Sequence, residues 1–146
     1  MTSERISKSV AETEAIAGEV ARTLRGGECI ALHGEMGAGK TQFVRGLLAG
    51  LKGDPHTVSS PTFVLLNVYD TGRLKVFHLD AYRVGGSEDF ETIGFAELLE
   101  QGGVVVVEWP ERVAALIPAT RIEIEIIPRS RSSRLIRITS APACSE

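Results

Sequence analysis

The sequence predicts an α/β domain, a mixed β-sheet flanked by helices and containing antiparallel hairpins. Three observations carry this. An apolar run at residues 29–32 enters a glycine-rich turn and then a helical pattern. Four consecutive valines at 104–107 need a sheet interior, and alternating apolar stretches are joined by polar turns. With 146 residues the chain has the length of one ordinary domain, so a single domain over 1–146 is expected, with about 140–146 frayed.

Residues 1–9 are polar and charged. Ser9 and Glu12 have capping-box spacing, and Val10, Ile16, Ala17, Val20, Ala21 and Leu24 then recur near helical spacing, so an amphipathic helix is expected, ended by Gly26 and Gly27. Residues 29–32 read as a buried parallel strand, and a second helix should begin near Gly39 and stop before Gly53. Residues 63–69 and 74–79 are rich in β-branched and aromatic side chains around a turn-like 70–73, which predicts a hairpin. Ser87 can cap a helical stretch toward Glu100, and Gly102 and Gly103 punctuate the chain before the valine strand. Ile122, Ile124 and Ile126 alternate with glutamates, and Leu135, Ile136 and Ile138 follow a polar turn, which predicts a closing hairpin. This pattern leaves the strand order open.

An apolar fraction of 43% and a charged fraction of 24% place the chain among ordinary globular proteins and exclude disordered and fibrous classes. No stretch approaches the roughly 20 apolar residues that span a bilayer, and the polar opening lacks a signal peptide's apolar centre, so the expected location is cytoplasmic. The formal net charge of −3 argues against broad electrostatic attraction to nucleic acid. Arg121, Arg129, Arg131, Arg134 and Arg137 gather late in the chain without interleaved aromatics, which reads as solvated surface, with an approach of one of them to phosphate or RNA as the alternative. Cys29 and Cys144 have no metal-binding or redox spacing, and Cys29 reads as core.

Gly34, Glu35, Met36, Gly37, Ala38, Gly39, Lys40 and Thr41 match GxxxxGK followed by Ser or Thr, with a strand before and a helix after. Glycine lets the backbone turn its N–H groups onto phosphate oxygens, and the helix N-terminus adds a favourable dipole. Lys40 would reach the outer phosphates, and the Thr41 hydroxyl would take one position on Mg2+. The predicted fold is therefore P-loop NTPase-like, and the expected cofactors are ATP and Mg2+. The competing dinucleotide fingerprint needs GxGxxG, whereas the glycines here run GxxGxG.

A P-loop needs a carboxylate at the end of a neighbouring apolar strand, and Glu108 directly follows the four valines. It could hold Mg2+ or orient a water; a solvated strand end is the plainer alternative. Trp109, the single tryptophan, stands beside it, either packing under a loop or reporting on nucleotide or a partner. His78, Asp80, Tyr82 and Arg83 concentrate polar chemistry at the end of the second hairpin strand, and Asp80 is the preferred candidate. Alternation puts His78 and Asp80 on one face, but two ligands do not make a zinc site, and a histidine satisfied by its neighbours is favoured. Ser59, Ser60, Pro61, Thr62 and Phe63 could form a loop sensing the outer phosphate or a strand-starting turn.

In order and spacing, GEMGAGKTQFVRG, SSPTFVL, HLDAYR, SEDFETIGF and VVVVEWPER closely resemble the TsaE family, also called YjeE, over about residues 14–127. The resemblance implies a bacterial ATPase supporting threonylcarbamoyladenosine synthesis on tRNA beside the anticodon, acting with the TsaB and TsaD proteins and touching tRNA only through that complex. It implies Lys40 and Thr41 as phosphate and magnesium residues, Glu108 as the strand-end carboxylate, and Asp80 as an active-site acid. It also implies a switch-like segment at 60–63 and a threonine near the nucleotide base, for which Thr13 is the nearest candidate.

A GTPase is disfavoured because no NKxD or TKxD element is present to read guanine. A small-molecule kinase would use the arginines at 129–137 as a lid, but no acceptor-binding motif supports it. A nucleotide-dependent docking module, with slow incidental hydrolysis, is the alternative from a different class.

Overall fold

The computed structural model describes residues 2–35, 37–58, 66–82, 91 and 94–140. Among them, seven strands form one mixed sheet in the order β1-β7-β6-β2-β5-β4-β3. These strands are β1 (Thr2–Ser7), β2 (Cys29–Gly34), β3 (Leu66–Tyr69), β4 (Val76–Asp80), β5 (Val104–Glu108), β6 (Ile122–Pro128) and β7 (Arg134–Ser140). The middle of the sheet is parallel, with β2 between β6 and β5 and with β4 beside β5. Its margins are antiparallel: β3 with β4, β6 with β7, and β1 with β7. This is the predicted mixed α/β architecture with its hairpins.

Alternation along the central strands sends side chains into two cores. Ile30, Leu32, Val104 and Val106 face helices α1 (Val10–Thr23) and α2 (Lys40–Gly50). Cys29, Ala31, Val105 and Val107 face the other way, against α3 (Phe95–Leu99) and the 3-10 segment Pro110–Leu116. A strand buried on both faces must be apolar at every position, which accounts for the uninterrupted valines. Cys29 is the core residue expected, its thiol pushed up to about 12 by burial.

Ser9 caps α1 as expected, its Oγ accepting from the Glu12 N–H at 3.0 Å. The reciprocal arm differs from a capping box: Glu12 Oε1 accepts from the Lys8 N–H at 2.7 Å, one residue outside the cap. The helix stops at Thr23, before the predicted glycine stop, because Leu24 is already extended. Helices α1 and α2 approach very closely: a Cβ on Gly46 would lie 2.3 Å from the Glu14 carbonyl oxygen.

One strand lies outside the elements expected, and two expectations need correction or restriction. The polar opening holds that strand: Thr2–Ser7 is an edge strand on β7. It carries no apolar alternation because five of its six residues are exposed, so burial left no signature in it. The second hairpin strand begins at Val76 and ends at Asp80, later than expected. The helix expected from Ser87 is described only as Phe95–Leu99; Ser87 itself lies outside the described residues.

Candidate functional site

Three parallel strands, β2, β5 and β4, end side by side, and residues at or just beyond these strand ends make the site. In open α/β sheets the carboxyl ends of the strands are where ligands bind, since the chain there turns away into loops and helices and leaves a crevice. Beyond β2 the chain turns sharply, with the Ala38 N–H donating to the Glu35 carbonyl at 3.0 Å, and enters α2 at Lys40. Gly37 and Gly39 hold φ of +81° and +112°, conformations that a side chain would strain. A Cβ on Gly34 would stand 3.3 Å from Ala38, Ile126 and Lys40 atoms at once. Met36 lies outside the described residues.

Lys40 is buried, and its Nζ has no hydrogen-bond partner among the described residues. Two groups approach it without satisfying it. Glu108 Oε1 lies at 3.7 Å, an ion-pair distance too long for a hydrogen bond, and the Trp109 ring lies 4.1 Å below as a cation–π partner. Burial pulls the ammonium below its ordinary pKa, while Glu108 and Asp80 oppose that shift.

Glu108 and Asp80 are register partners at the ends of β5 and β4, and both are buried. Glu108 is held from behind: His78 Nε2 lies 2.5 Å from its Oε2, and Tyr69 closes the row at 3.3 Å from His78 Nδ1. His78 is therefore a histidine satisfied by neighbours, and no group of three or more metal-ligating side chains occurs among the described residues. Asp80 accepts from the Tyr82 N–H at 2.8 Å. Burial pushes its carboxyl above the usual range, with Glu108 adding to the rise and the Tyr82 N–H and Lys40 opposing it.

Trp109 occupies a left-handed backbone conformation with φ of +56°, uncommon for so large a side chain. That turn carries its ring over Lys40 and against Tyr82, centroids 5.0 Å apart, and Arg112 covers Tyr82 at 5.0 Å. The tryptophan is thus part of the site, which adjacency to Glu108 left undecided between packing and contact.

These groups line one cleft of about 260 Å³ that includes Thr13, Gly37, Gly39, Lys40, Thr41, Asp80, Glu108 and Trp109. Thr13 is buried at its edge, its Oγ1 2.7 Å from Ser7 Oγ, so the edge strand β1 supports a residue of the cleft. Glu35 lines a second cleft with His33 and Glu125, which shares Trp109 with the first. Segment 60–63 and Arg83 lie outside the described residues. Gln42 and Arg134 also line the cleft, and the sequence pattern singles out neither from its neighbours. Arg134 resembles the other late arginines, and nothing local signals that its Nε–H donates to the Ala38 carbonyl at 2.5 Å. Of the other late arginines, Arg137 pairs with Glu4 and Glu125 across the sheet, and Arg121 with Glu123.

The cleft suits a phosphorylated ligand. A buried cation lacks acceptors among the described residues, glycines at positive φ open a backbone cradle, and a half-buried threonine hydroxyl and two carboxylates lining the same cleft are the hard oxygen donors that Mg2+ takes.

A family model described as "Threonylcarbamoyl adenosine biosynthesis protein TsaE" matches residues 7–136. The tRNA threonylcarbamoyladenosine biosynthesis protein TsaE of Treponema pallidum is 41% identical over 133 residues, covering 91% of this chain and 97% of that protein. That of Aquifex aeolicus is 44% identical over 110 residues, covering 75% and 77%. That of Bacillus subtilis is 36% identical over 129 residues, covering 88% and 80%. Among solved structures, Bacillus subtilis YdiB superposes with a TM-score of 0.80 at 28% identity, covering 97% of this chain and 87% of that one.

Proposed function

The chain belongs to the TsaE family of threonylcarbamoyl adenosine biosynthesis proteins, and from that premise we propose that it is a magnesium-dependent ATPase serving tRNA modification beside the anticodon. It would act with TsaB and TsaD in the cytoplasm, where ATP and tRNA are at hand, and meet tRNA through that complex. One observation carries the nucleotide reading: the Lys40 ammonium is buried beside a glycine turn with no hydrogen-bond partner among the described residues. A buried donor left unpaired is costly, and phosphate oxygens are the acceptors that such a turn admits.

The residues divide the work by position. The turn from Gly34 to Gly39 would cradle the phosphates with backbone N–H groups, and Lys40 would hold the outer ones. Thr41 and Glu108 would hold Mg2+, which when bound neutralises charge on the outer phosphates and orients them. His78 fixes the Glu108 carboxylate through the 2.5 Å contact, so this group need not reorganise when the charge distribution changes. Asp80, its carboxyl held above the usual range, would position the attacking water and take its proton as phosphate and ADP form. Thr13 lies at the cleft edge where the base would rest.

The test is phosphate release from ATP by the isolated protein, then with TsaB and TsaD added. We expect slow release alone, acceleration by the partners, tight binding of ATP over GTP, and loss of tight ATP binding in Lys40→Ala. Unchanged ATP affinity in Lys40→Ala would remove the nucleotide assignment. A protein that binds ATP yet releases no phosphate in either condition would instead be a nucleotide-dependent docking module.

A further inference from the structure

Arg134 is a cleft residue to which the nucleotide reading assigns no task. It opens β7, paired with Pro128 on one side and Ser7 on the other. Its side chain crosses the glycine turn: a Cβ on Gly39 would stand 3.2 Å from the Arg134 Nε and 3.5 Å from its Cδ, with Gln42 Oε1 at 3.8 Å. Gly39 is required for its φ of +112°, and a Cβ there would also press on the Arg134 side chain. The Nε–H donates to the Ala38 carbonyl, which fixes the plane of the guanidinium. Neither Nη nitrogen has a hydrogen-bond partner, and no carboxylate pairs with Arg134, among the described residues. An arginine held by one donor with its fork unused is prepared for an anion that offers two acceptor oxygens, as a phosphate group does.

Its neighbours say which part of a nucleotide it meets. Lys40 contacts Glu108 and Trp109, whereas Arg134 contacts Ala38 and Gly39 and lines the cleft with Val10, Thr13 and Gln42. In a loop of this kind the lysine reaches the outer phosphates and the backbone cradles the inner ones. We propose that Arg134 is a binding residue for the α-phosphate of a nucleoside di- or triphosphate, clamping it from β7 against the glycine turn. This rests on the proposed nucleotide function.

The experiment measures Mg2+–ADP and Mg2+–ATP affinity by calorimetry for the wild type, Arg134→Gln and Arg134→Lys, together with the 31P resonances of bound ADP. A charge-assisted fork is worth about 10- to 100-fold in affinity. Arg134→Gln should lose that much for ADP and ATP alike, because both carry the α-phosphate, and Arg134→Lys should lose less. The α-phosphorus resonance should move in both variants while the β resonance stays. Affinities within about twofold of wild type in both variants would overturn the assignment and leave the nucleotide function intact. An α and a β resonance that move together would also overturn it, since they would mark a distorted loop. A wild type that binds neither nucleotide removes the assignment together with the function beneath it. Should Arg134→Gln fail to fold, Arg134→Lys decides by the same two criteria.

Discussion

Asp80 and Lys40 are buried charges held against their preference for water, so the free site should be a stability cost that function requires. Burial raises the Asp80 carboxyl above its ordinary range, so between its ordinary and raised values the folded chain binds the proton that the unfolded chain has released. Stability from this group is therefore present at low pH and lost as pH rises through the raised value. Asp80→Asn should unfold at a midpoint about 2–4 °C higher than wild type at neutral pH, equivalent to about 1 kcal/mol, with the gap closing as pH falls through that value. The same variant should hydrolyse ATP about 100-fold more slowly while binding it nearly as well. Scanning calorimetry across pH checks the first half, and single-turnover kinetics with the partners the second. A variant no more stable and no slower would remove Asp80 from the catalytic machinery. Lys40 has the opposite sign: its depressed pKa makes its contribution grow as pH rises toward its ordinary value.

At the scale of elements, α1 and α2 are joined backbone to backbone through glycines. A Cβ on Gly46 would meet the Glu14 oxygen at 2.3 Å, whereas one on Gly18 would meet nothing nearer than the Gly46 oxygen at 3.9 Å. The same change should thus have opposite signs. Gly46→Ala should cost about 1–3 kcal/mol by forcing the helices apart, and Gly18→Ala should gain up to about 1 kcal/mol from helix propensity. Urea unfolding midpoints would check both, and a stabilised Gly46→Ala would show that the helices part easily. The pair is invisible in the amino-acid sequence, because a glycine within a helical pattern looks alike whether it faces a backbone or solvent. Periodicity is legible there, as in α1 and the valine strand, where a whole face is buried. Strand β1 is not, since it joins through backbone hydrogen bonds and exposes nearly all its side chains.

For the whole molecule, ligand binding to a preformed cleft must raise the unfolding free energy. Mg2+ and ATP at about 100 times the dissociation constant should add about 2.7 kcal/mol, and a melting scan that shows no rise with nucleotide would contradict the proposed site. The glycine turn, Lys40, Thr41, Asp80 and Glu108 are all legible in the amino-acid sequence by itself, because each lies in a local pattern: a motif, or a carboxylate closing an apolar strand. The order and spacing of those motifs also carry the family, and the hydrophobic periods carry the fold class. The tertiary structure alone decided the strand order, which lays Asp80 beside Glu108, and the contacts made across long separations. Trp109 lies over Lys40, His78 behind Glu108, Ser7 against Thr13, and Arg134 on a loop 96 residues earlier in the chain. Local patterns record which face of an element is buried, but which residue it is buried against depends on how strands are ordered and helices packed, and that is a property of the folded chain.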